Sequence, residues 1–405
     1  MAYRGFLFPP ETPLYPPAST VLAYLQSYAS AYNLYPHIRL NATVESAVRV
    51  KGKWHVAFSS PSGPSTLKDI DSLVVANGRY SQPYIPSVPG LEDWKLGVQY
   101  SHSIYYRSPS APVDLKGKIV LVVGGGASAV DIAPDLIGHA KAVYRSSRTI
   151  HSPDDTCNPH LRPGIARLLS SADGEVEFRD GSTLCGVGHI IFATGYIHSL
   201  PFLPPEILRN EAPPCVGNEL PGELYNSKKH VFPLARQFIP LIPQLREDEL
   251  AFIGLPWRVV PFPLVQAQAA VLVSTFTSQV PFLDHNLETR LIINRGQALA
   301  RQGENDQAVI AQLWHMLPGA EQFDYREELL RLTGLPETEA RTPEWQRMIY
   351  GRKKELMKAW KTAVRDGRAE GLVKGIGTED AWVQLMIKLL GGVGEQSQLR
   401  GTKEK

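Results

Sequence analysis

Residues 118–129, with the sequence KIVLVVGGGASA, decide the fold class of this 405-residue chain. An apolar run typical of a buried strand leads directly into a turn of the form Gly-x-Gly-x-x-Ala. Beyond the turn, apolar residues recur at helical spacing from Ala129 to Ile137, and we expect Pro134 to kink the last turn of this helix. A strand, a glycine turn and a helix in this order are typical of a dinucleotide-binding α/β domain.

The residue types in the turn match what a pyrophosphate group requires. Gly124 allows the tight turn, Gly126 lets the phosphates approach the backbone, and Ala129 is small where the helix packs on the strand. The N–H groups at the start of the helix, near Ala127 and Ser128, and the Ser128 hydroxyl would bind phosphate. The alternative interpretation is a tight turn without a ligand.

The second strand of this unit indicates which coenzyme the site selects. About 20 residues beyond the glycines, an NAD site would carry an Asp or Glu that binds the ribose 2′-hydroxyl. Residues 143–148, VYRSSR, contain no acid, and we expect Arg145, Ser146 and Arg148 to bind the 2′-phosphate of NADP(H). The alternative is that the two arginines are solvated surface charges.

At two places, called strand exits here, the chain leaves an apolar strand through the same pattern of residues. Residues 73–79, LVVANGR, and residues 190–196, IIFATGY, each run from an apolar strand through Ala and a small polar residue to Gly. We interpret this similarity as a duplication of architecture. Because residues 1–110 contain no Gly-x-Gly, the first copy is expected to lack an opening strand, glycine turn and helix of its own.

Hydrophobic periodicity predicts the remaining elements. Helices are predicted from about Ser19 to Tyr32, at 265–277 and over most of the chain beyond 283; strands are predicted at 38–40, 47–50, 54–58, 73–76, 141–146, 175–179, 189–193 and 250–253.

Composition excludes several classes of protein. Lys+Arg 42 against Asp+Glu 40 gives a net charge of +2, which lacks the basic excess of a nucleic-acid-binding protein. Three cysteines are too few for a disulfide framework, which favours a reducing, cytoplasmic location. The most apolar stretch, 250–276, includes Arg258 and three prolines, so no transmembrane segment and no signal peptide are predicted. No spacing typical of a zinc site occurs, and no metal is predicted.

Residues 1–283 resemble the flavin-containing monooxygenase family, especially its fungal members. Residues 3–9 (YRGFLFP), 252–256 (FIGLP) and 263–268 (PLVQAQ) resemble family segments around the flavin. His102 and Tyr106 match the last two fixed positions of the family fingerprint F-x-G-x-x-x-H-x-x-x-F/Y, whereas Leu96 and Val98 depart from it. Tyr106 favours this family over Baeyer–Villiger enzymes, which carry Trp there.

The resemblance implies an α/β fold with two Rossmann-like dinucleotide-binding domains. An N-terminally incomplete FAD domain would occupy 1–112, an inserted NADP domain 113–230, the return segment of the FAD domain 231–290 and a helical C-terminal extension 291–405. Besides the glycine turn and the arginines, the cofactor-binding residues it implies are Ala76, Asn77 and Gly78 at the first strand exit, and Ala193, Thr194, Gly195 and Tyr196 at the second.

The resemblance also implies a reaction. NADPH would reduce FAD, the reduced flavin would capture O₂ as a C4a-hydroperoxide, and the terminal oxygen would pass to a sulfur or nitrogen of a small molecule. His102 and Ser103 could alternatively brace a loop by hydrogen bonds.

Departures from the family leave three hypotheses open. The glycine motif that holds the FAD pyrophosphate is absent, Asn77 replaces a threonine, and Gln266 replaces a common glutamate. The chain is a monooxygenase or a fragment of one, a degenerate or truncated NADP-binding remnant, or a flavin-dependent NADPH oxidoreductase without oxygenation. Because a missing β-α-β unit would leave a strand unpaired, we expect low stability.

Overall fold

The computed structural model describes residues 2–94, 99–170, 172–215, 217–277, 283–303 and 305–391. The chain forms two compact units: unit 1 comprises Met1–Gly78 and Leu200–Lys405, and unit 2 comprises Arg79–Ser199. The two fingerprint departures, Leu96 and Val98, lie outside the described residues.

Strands dominate the first part of the chain, and from Pro261 onward the described elements are all helices. The strands are β1 (Thr43–Val50), β2 (Lys53–Ser60), β3 (Gly63–Ile70), β4 (Leu73–Val75), β5 (Gln82–Pro83), β6 (Gln99–His102), β7 (Ile119–Val123), β8 (Ala142–Ser146), β9 (His160–Arg162), β10 (Ile165–Leu168), β11 (Val176–Phe178), β12 (Thr183–Leu184), β13 (Val187–Phe192), β14 (Tyr196–Ile197), β15 (Tyr225–Asn226), β16 (Val231–Phe232), β17 (Leu234–Ala235), β18 (Ile239–Pro240) and β19 (Leu250–Phe252). The helices are α1 (Ala18–Ala31), α2 (Leu91–Trp94), α3 (Ala127–Asp135), α4 (Pro261–Thr277), α5 (His285–Gln302), α6 (Gln307–Leu313), α7 (Glu321–Leu332), α8 (Glu337–Ala340), α9 (Glu344–Gly351), α10 (Lys353–Arg365), α11 (Ala369–Val373) and α12 (Glu379–Leu389).

Unit 2 is built around a five-stranded parallel sheet with the strand order β6-β13-β7-β8-β9. β7, α3 and β8 form the predicted strand, helix and strand, and α3 ends one residue beyond Pro134. Ala129 and Ile132 of α3 pack against alternate residues of the sheet, whereas Trp94 and Phe178 belong to the cluster on the other face. Because both faces are covered, the central strands consist almost entirely of apolar residues.

Unit 1 combines an antiparallel sheet, a short parallel ladder and the helical part of the chain. β1, β2 and β3 form an antiparallel sheet in which the Trp54 side chain is fully buried. Its indole N–H donates to the Glu249 carbonyl at 2.8 Å, beside the ladder of β4 and β19. Among the described residues the parallel sheet of unit 1 contains these two strands alone. The helices α4 to α7 enclose a core that includes Val271, Trp314 and Leu329.

Two sequence-based predictions differ from the structure. Residues 38–40, predicted as a strand, follow a 3-10 helix at Tyr35–His37; the Leu40 side chain is 74% exposed and the left-handed backbone of Asn41 delays the strand until Thr43.

The limits of the inserted domain also differ from 113–230. Unit 2 begins at Arg79 because β5 pairs with β14 and β6 pairs with β13. It ends at Ser199 because Leu200 and Leu203 are buried in a core of unit 1. The division of the later chain at residue 290 stays a prediction.

Candidate dinucleotide site

The candidate site lies at the carboxyl ends of the parallel strands of unit 2. β7 connects through α3 to β8 on one side, whereas β13 lies on its other side. The strand order therefore reverses between β7 and β13, and ligands of open α/β sheets bind outside the carboxyl ends of the strands at such a switch point.

Gly124 fits a place that no other residue can occupy. Its φ is +149°, and a Cβ at this position would overlap the carbonyl oxygen of Ala193. Its N–H donates to the Ser146 carbonyl at 2.8 Å, so the turn is tied to the end of β8. The predicted residues Gly124 and Ala193 are thus in direct contact.

Gly126 differs from Gly124 because nothing in the protein requires it to be glycine. It precedes α3 as the N-cap residue with φ −87° and ψ −177°, and a Cβ there would meet no heavy atom within 4 Å. No side chain caps the helix, so the N–H groups of the first turn, including those of Ala127 and Ser128, are available to an anion. Ala129 is fully buried against the sheet, as predicted. The turn therefore fits a pyrophosphate by its open space and its donors.

The arginine-containing segment after β8 is arranged differently from the prediction. Ser146 is fully buried and its hydroxyl donates to the Pro163 carbonyl at 2.6 Å, so this hydroxyl holds the fold together, and its assignment to a 2′-phosphate stays an untested prediction. Arg148 is exposed, and the buried Nε of Arg145 has no hydrogen-bond partner.

Two residues that sequence reasoning missed lie against the turn. The hydroxyls of Ser147 and Thr149 are 2.9 Å apart, and a Cβ on Gly125 would lie 3.4 Å and 3.5 Å from them. The sequence signal for these two residues was weak, because both lie in the short loop after β8 and neither occupies a fixed position of a known motif.

The second strand exit is held by His102. The ring Nδ1 accepts from the Ile104 N–H at 3.2 Å, which leaves the proton on Nε2 to donate to the Gly195 carbonyl at 2.9 Å. Burial lowers the pKa of His102, so the neutral form is favoured. The ring also contacts Tyr196 edge to face at 5.2 Å, and the Thr194 hydroxyl donates to the Tyr84 carbonyl.

Tyr106, the other fingerprint residue, is tied to α3. Its hydroxyl donates to Asp135 Oδ2 at 2.5 Å, and burial, followed by this hydrogen bond, raises its pKa. Both fingerprint side chains therefore have bracing contacts within unit 2, as the structural alternative for His102 expected.

The strand exit of unit 1 offers less to a dinucleotide. β4 and β19 run parallel, and Gly78 and Gly254, both with positive φ, lie just beyond their carboxyl ends. A Cβ on Gly78 would meet nothing within 4 Å, so Ala76, Asn77 and Gly78 border open space. In the described part of unit 1, however, no turn of the form Gly-x-Gly leads from a parallel strand into a helix. The assignment of Ala76, Asn77 and Gly78 to FAD stays a prediction.

Metal-binding clusters and membrane-spanning helices are absent from the described ranges. No group of three or more His, Cys, Asp or Glu side chains in them is placed to hold a metal ion. None of the helices in those ranges has both the length and the apolar content needed to cross a bilayer.

Comparison with known proteins gives the family. The family model "Flavin-binding monooxygenase-like" matches residues 1–151. Flavin-containing monooxygenase FMO GS-OX-like 4 of Arabidopsis thaliana is 30% identical over 372 residues, which cover 86% of this chain and 74% of that protein. The chain belongs to the flavin-containing monooxygenase family. FAD and NADP(H), the cofactors that the sequence predicted, are the cofactors of this family, and its reaction class is flavin-dependent oxygenation.

Other relatives agree with this membership. The thiol-specific monooxygenase of Saccharomyces cerevisiae is 30% identical over 288 residues, which cover 69% of this chain and 63% of the yeast protein.

Solved structures confirm the α/β fold of the monooxygenase. S-allyl-L-cysteine S-oxygenase from Allium sativum superposes with a TM-score of 0.71 at 23% identity, covering 96% of this chain and 82% of that one. Tmm from Pelagibacter sp. strain HTCC7211 gives 0.61 at 21% identity, covering 86% and 70%.

Proposed function

We propose that this protein uses NADPH and O₂ to oxygenate a soft nucleophile, a sulfur or nitrogen atom of a small molecule. One oxygen atom passes to the substrate, and the other leaves as water with the two electrons that NADPH supplies. The observation that carries the proposal is the glycine turn of unit 2, where Gly124 is required by the fold and Gly126 leaves room for a ligand.

Sulfur is the favoured acceptor. The yeast relative that is 30% identical to this chain is named a thiol-specific monooxygenase. Sulfur in a thiol or thioether is a soft nucleophile, and it needs no activation by a general base when the oxidant is electrophilic. No acid–base triad is therefore assigned to the chain.

The chain's own residues would bind and orient NADP(H). First-turn N–H groups of α3 and the backbone at Gly126 would hold the pyrophosphate, and Arg145 and Arg148 would bind the 2′-phosphate. Thr194, Gly195 and Tyr196 would border the nicotinamide half, because they follow the strand on the other side of the switch point. FAD, when bound, supplies the chemistry of oxygen transfer.

A steady-state experiment tests the oxygenation. The purified chain, reconstituted with FAD, is given NADPH and either cysteamine or a thioether, and both NADPH consumption and the oxygenated product are measured. We expect product in proportion to NADPH consumed. Consumption with hydrogen peroxide but no product would favour an NADPH oxidoreductase without oxygenation.

A second candidate function is NADP(H) binding without turnover. It is favoured because, in the described part of unit 1, no Gly-x-Gly turn leads from a parallel strand into a helix. The measurement that separates the two is flavin content after reconstitution and gel filtration. A colourless protein that still binds NADP⁺ would support this second function and contradict the first.

We further propose a cytoplasmic location and no nucleic-acid partner. All three cysteines, Cys157, Cys185 and Cys215, are free thiols, which suits a reducing compartment. The net charge of +2 offers little attraction to a polyanion.

A further inference from the structure

We propose that Arg179 is a specificity-determining residue that binds the 2′-phosphate of NADP(H) together with Arg148. The inference rests on the proposed function, in that unit 2 must bind NADP(H). Arg179 lies 31 positions beyond Arg148 in the chain, on the turn that joins β11 to β12.

Hydrogen bonds connect this turn to the end of β8. The Ser146 hydroxyl donates to the Pro163 carbonyl at 2.6 Å, and the next residue, Gly164, accepts a hydrogen bond from the Arg179 N–H at 2.8 Å. Because the Ser146 carbonyl also accepts from the Gly124 N–H, two backbone hydrogen bonds and one from the Ser146 hydroxyl lead from the glycine turn to Arg179.

The side chains of Arg148 and Arg179 both pass close to Gly164. A Cβ on Gly164 would lie 3.5 Å from both Cδ and Nε of Arg179 and 3.7 Å from Cγ of Arg148. The absence of a side chain at Gly164 thus lets the two arginines share one surface. Both residues are exposed, so their guanidinium groups are open to a ligand from solvent.

The turn that carries Arg179 is fixed by its own hydrogen bonds. The Phe178 N–H donates to the Ser182 carbonyl at 2.9 Å, and the Gly181 N–H donates to the Phe178 carbonyl at 3.0 Å. Gly181 has φ +82°, which a glycine adopts without strain. The Arg179 side chain therefore extends from a fixed position of the backbone.

Arg148 and Arg179 differ from two neighbouring arginines in their ion pairing. Arg162 is ion-paired with Asp155 at 2.7 Å, and Arg167 is ion-paired with Glu177 at 2.6 Å. Among the described residues, neither Arg148 nor Arg179 forms an ion pair. The adjacent acid, Asp180, accepts hydrogen bonds from the Ser182 N–H and hydroxyl at 3.1 Å and 2.6 Å.

Two arginines without ion-pair partners, whose side chains both pass close to Gly164, suit a dianion. A phosphate monoester carries close to two negative charges, and guanidinium groups bind its oxygens through paired N–H donors. In the absence of such a ligand the two positive charges repel each other. The ribose 2′-phosphate is the dianionic group that a dinucleotide presents near the end of the second strand.

Calorimetric titration of the full chain with NADP⁺ and NAD⁺ tests the inference. We expect Arg179→Ala to weaken NADP⁺ binding about tenfold, as for loss of a charged hydrogen bond, and to leave NAD⁺ binding unchanged. Arg179→Gln, which retains the aliphatic contact with Gly164, is expected to do the same and serves if the alanine variant does not fold. Arg167→Ala is the matched control: it removes one exposed arginine of the same small sheet, and the preference for NADP⁺ should stay at the wild-type value.

The outcomes distinguish this inference from the proposed function. If Arg148→Ala lowers the preference for NADP⁺ but both Arg179 variants retain it, Arg179 has no part in the site while the coenzyme assignment stands. An equal loss of NADP⁺ and NAD⁺ affinity in the Arg179 variants overturns the inference too. If the wild-type chain binds neither coenzyme, the proposed function fails along with it.

Discussion

At the scale of the residue, two glycines in one turn have different reasons to be glycine. A side chain at position 124 would overlap the Ala193 carbonyl, whereas position 126 has room for one. The first glycine is therefore required by folding. The second, if the turn binds pyrophosphate, is required by the ligand.

We predict that Gly124→Ala lowers the free energy of unfolding of unit 2 by about 3 kcal/mol, from steric overlap and backbone strain. Gly126→Ala, its matched control, should leave that free energy within about 1 kcal/mol of wild type but weaken NADP⁺ binding at least about tenfold. Urea unfolding and calorimetric titration measure the two effects. Full NADP⁺ affinity in Gly126→Ala would show that the pyrophosphate does not cross this turn.

The sequence predicted the turn better than its surroundings. The roles of Gly124 and Ala129 follow from a motif whose positions are fixed by short-range geometry. The hydrogen bond of the Ser146 hydroxyl, by contrast, depends on Pro163, and the placement of Arg148 and Arg179 depends on Gly164. Such contacts join segments that are distant in the chain, and no local sequence pattern predicts them.

At the scale of the element, β13 carries a histidine into the middle of the sheet. His189 is 2% exposed and lies between β6 and β7; its Nε2 is 2.9 Å from the Ser101 hydroxyl, and its Nδ1 has no partner. Burial, and to a smaller extent the charge of Lys118, lowers its pKa to about 4.

The low pKa predicts that unit 2 loses stability on acidification. The unfolded state takes up a proton as the pH falls through 6.5, whereas the folded state resists protonation until about pH 4. The contribution of neutral His189 to the free energy of unfolding is therefore complete above pH 6.5 and is lost as the pH falls from 6.5 to 4. At pH 5 the free energy of unfolding is lower by about 2 kcal/mol. Amide hydrogen exchange of peptides from Arg79–Ser199, measured in urea at several pH values, follows this loss of stability.

His189→Gln is expected to reduce the pH dependence, because the amide stays neutral and can still reach Ser101. His37→Gln, which changes an exposed histidine of unit 1, is the control and should leave the dependence intact. If the free energy of unfolding of His189→Gln depends on pH as steeply as that of the wild type, other groups cause the acid sensitivity.

Elements that the sequence predicted correctly have strong periodicity and caps or turns of their own. β7, α3 and β13 are examples, because an apolar run or a helical repeat defines each of them. The strand predicted at 38–40 was wrong because Ile38 and Leu40, although apolar, are exposed at the end of a helical turn. An apolar pair without a partner strand is insufficient evidence for a strand.

At the scale of the whole molecule, the two units should respond separately to coenzyme. A ligand that binds only the native state stabilises it by about 2.7 kcal/mol at a concentration one hundred times its Kd. We predict that NADP⁺ slows amide hydrogen exchange within Arg79–Ser199 and leaves exchange in β1, β2 and β3 unaffected. Mass spectrometry of peptic peptides resolves the two units, and NAD⁺ at the same concentration is the control. Protection confined to unit 1 would place the coenzyme elsewhere.

The pairing of β4 with β19 has a consequence for the order of events on the ribosome. Leu73–Val75 pairs with Leu250–Phe252, and Phe252 lies 177 positions beyond Val75. At about 5–20 residues per second, translation needs roughly 9–35 s to span that interval. During it, all five strands of the sheet in Arg79–Ser199 are synthesised while the partner of β4 does not yet exist. Unit 2 is thus completely synthesised before unit 1, whose two segments flank it in the sequence, can form its parallel ladder.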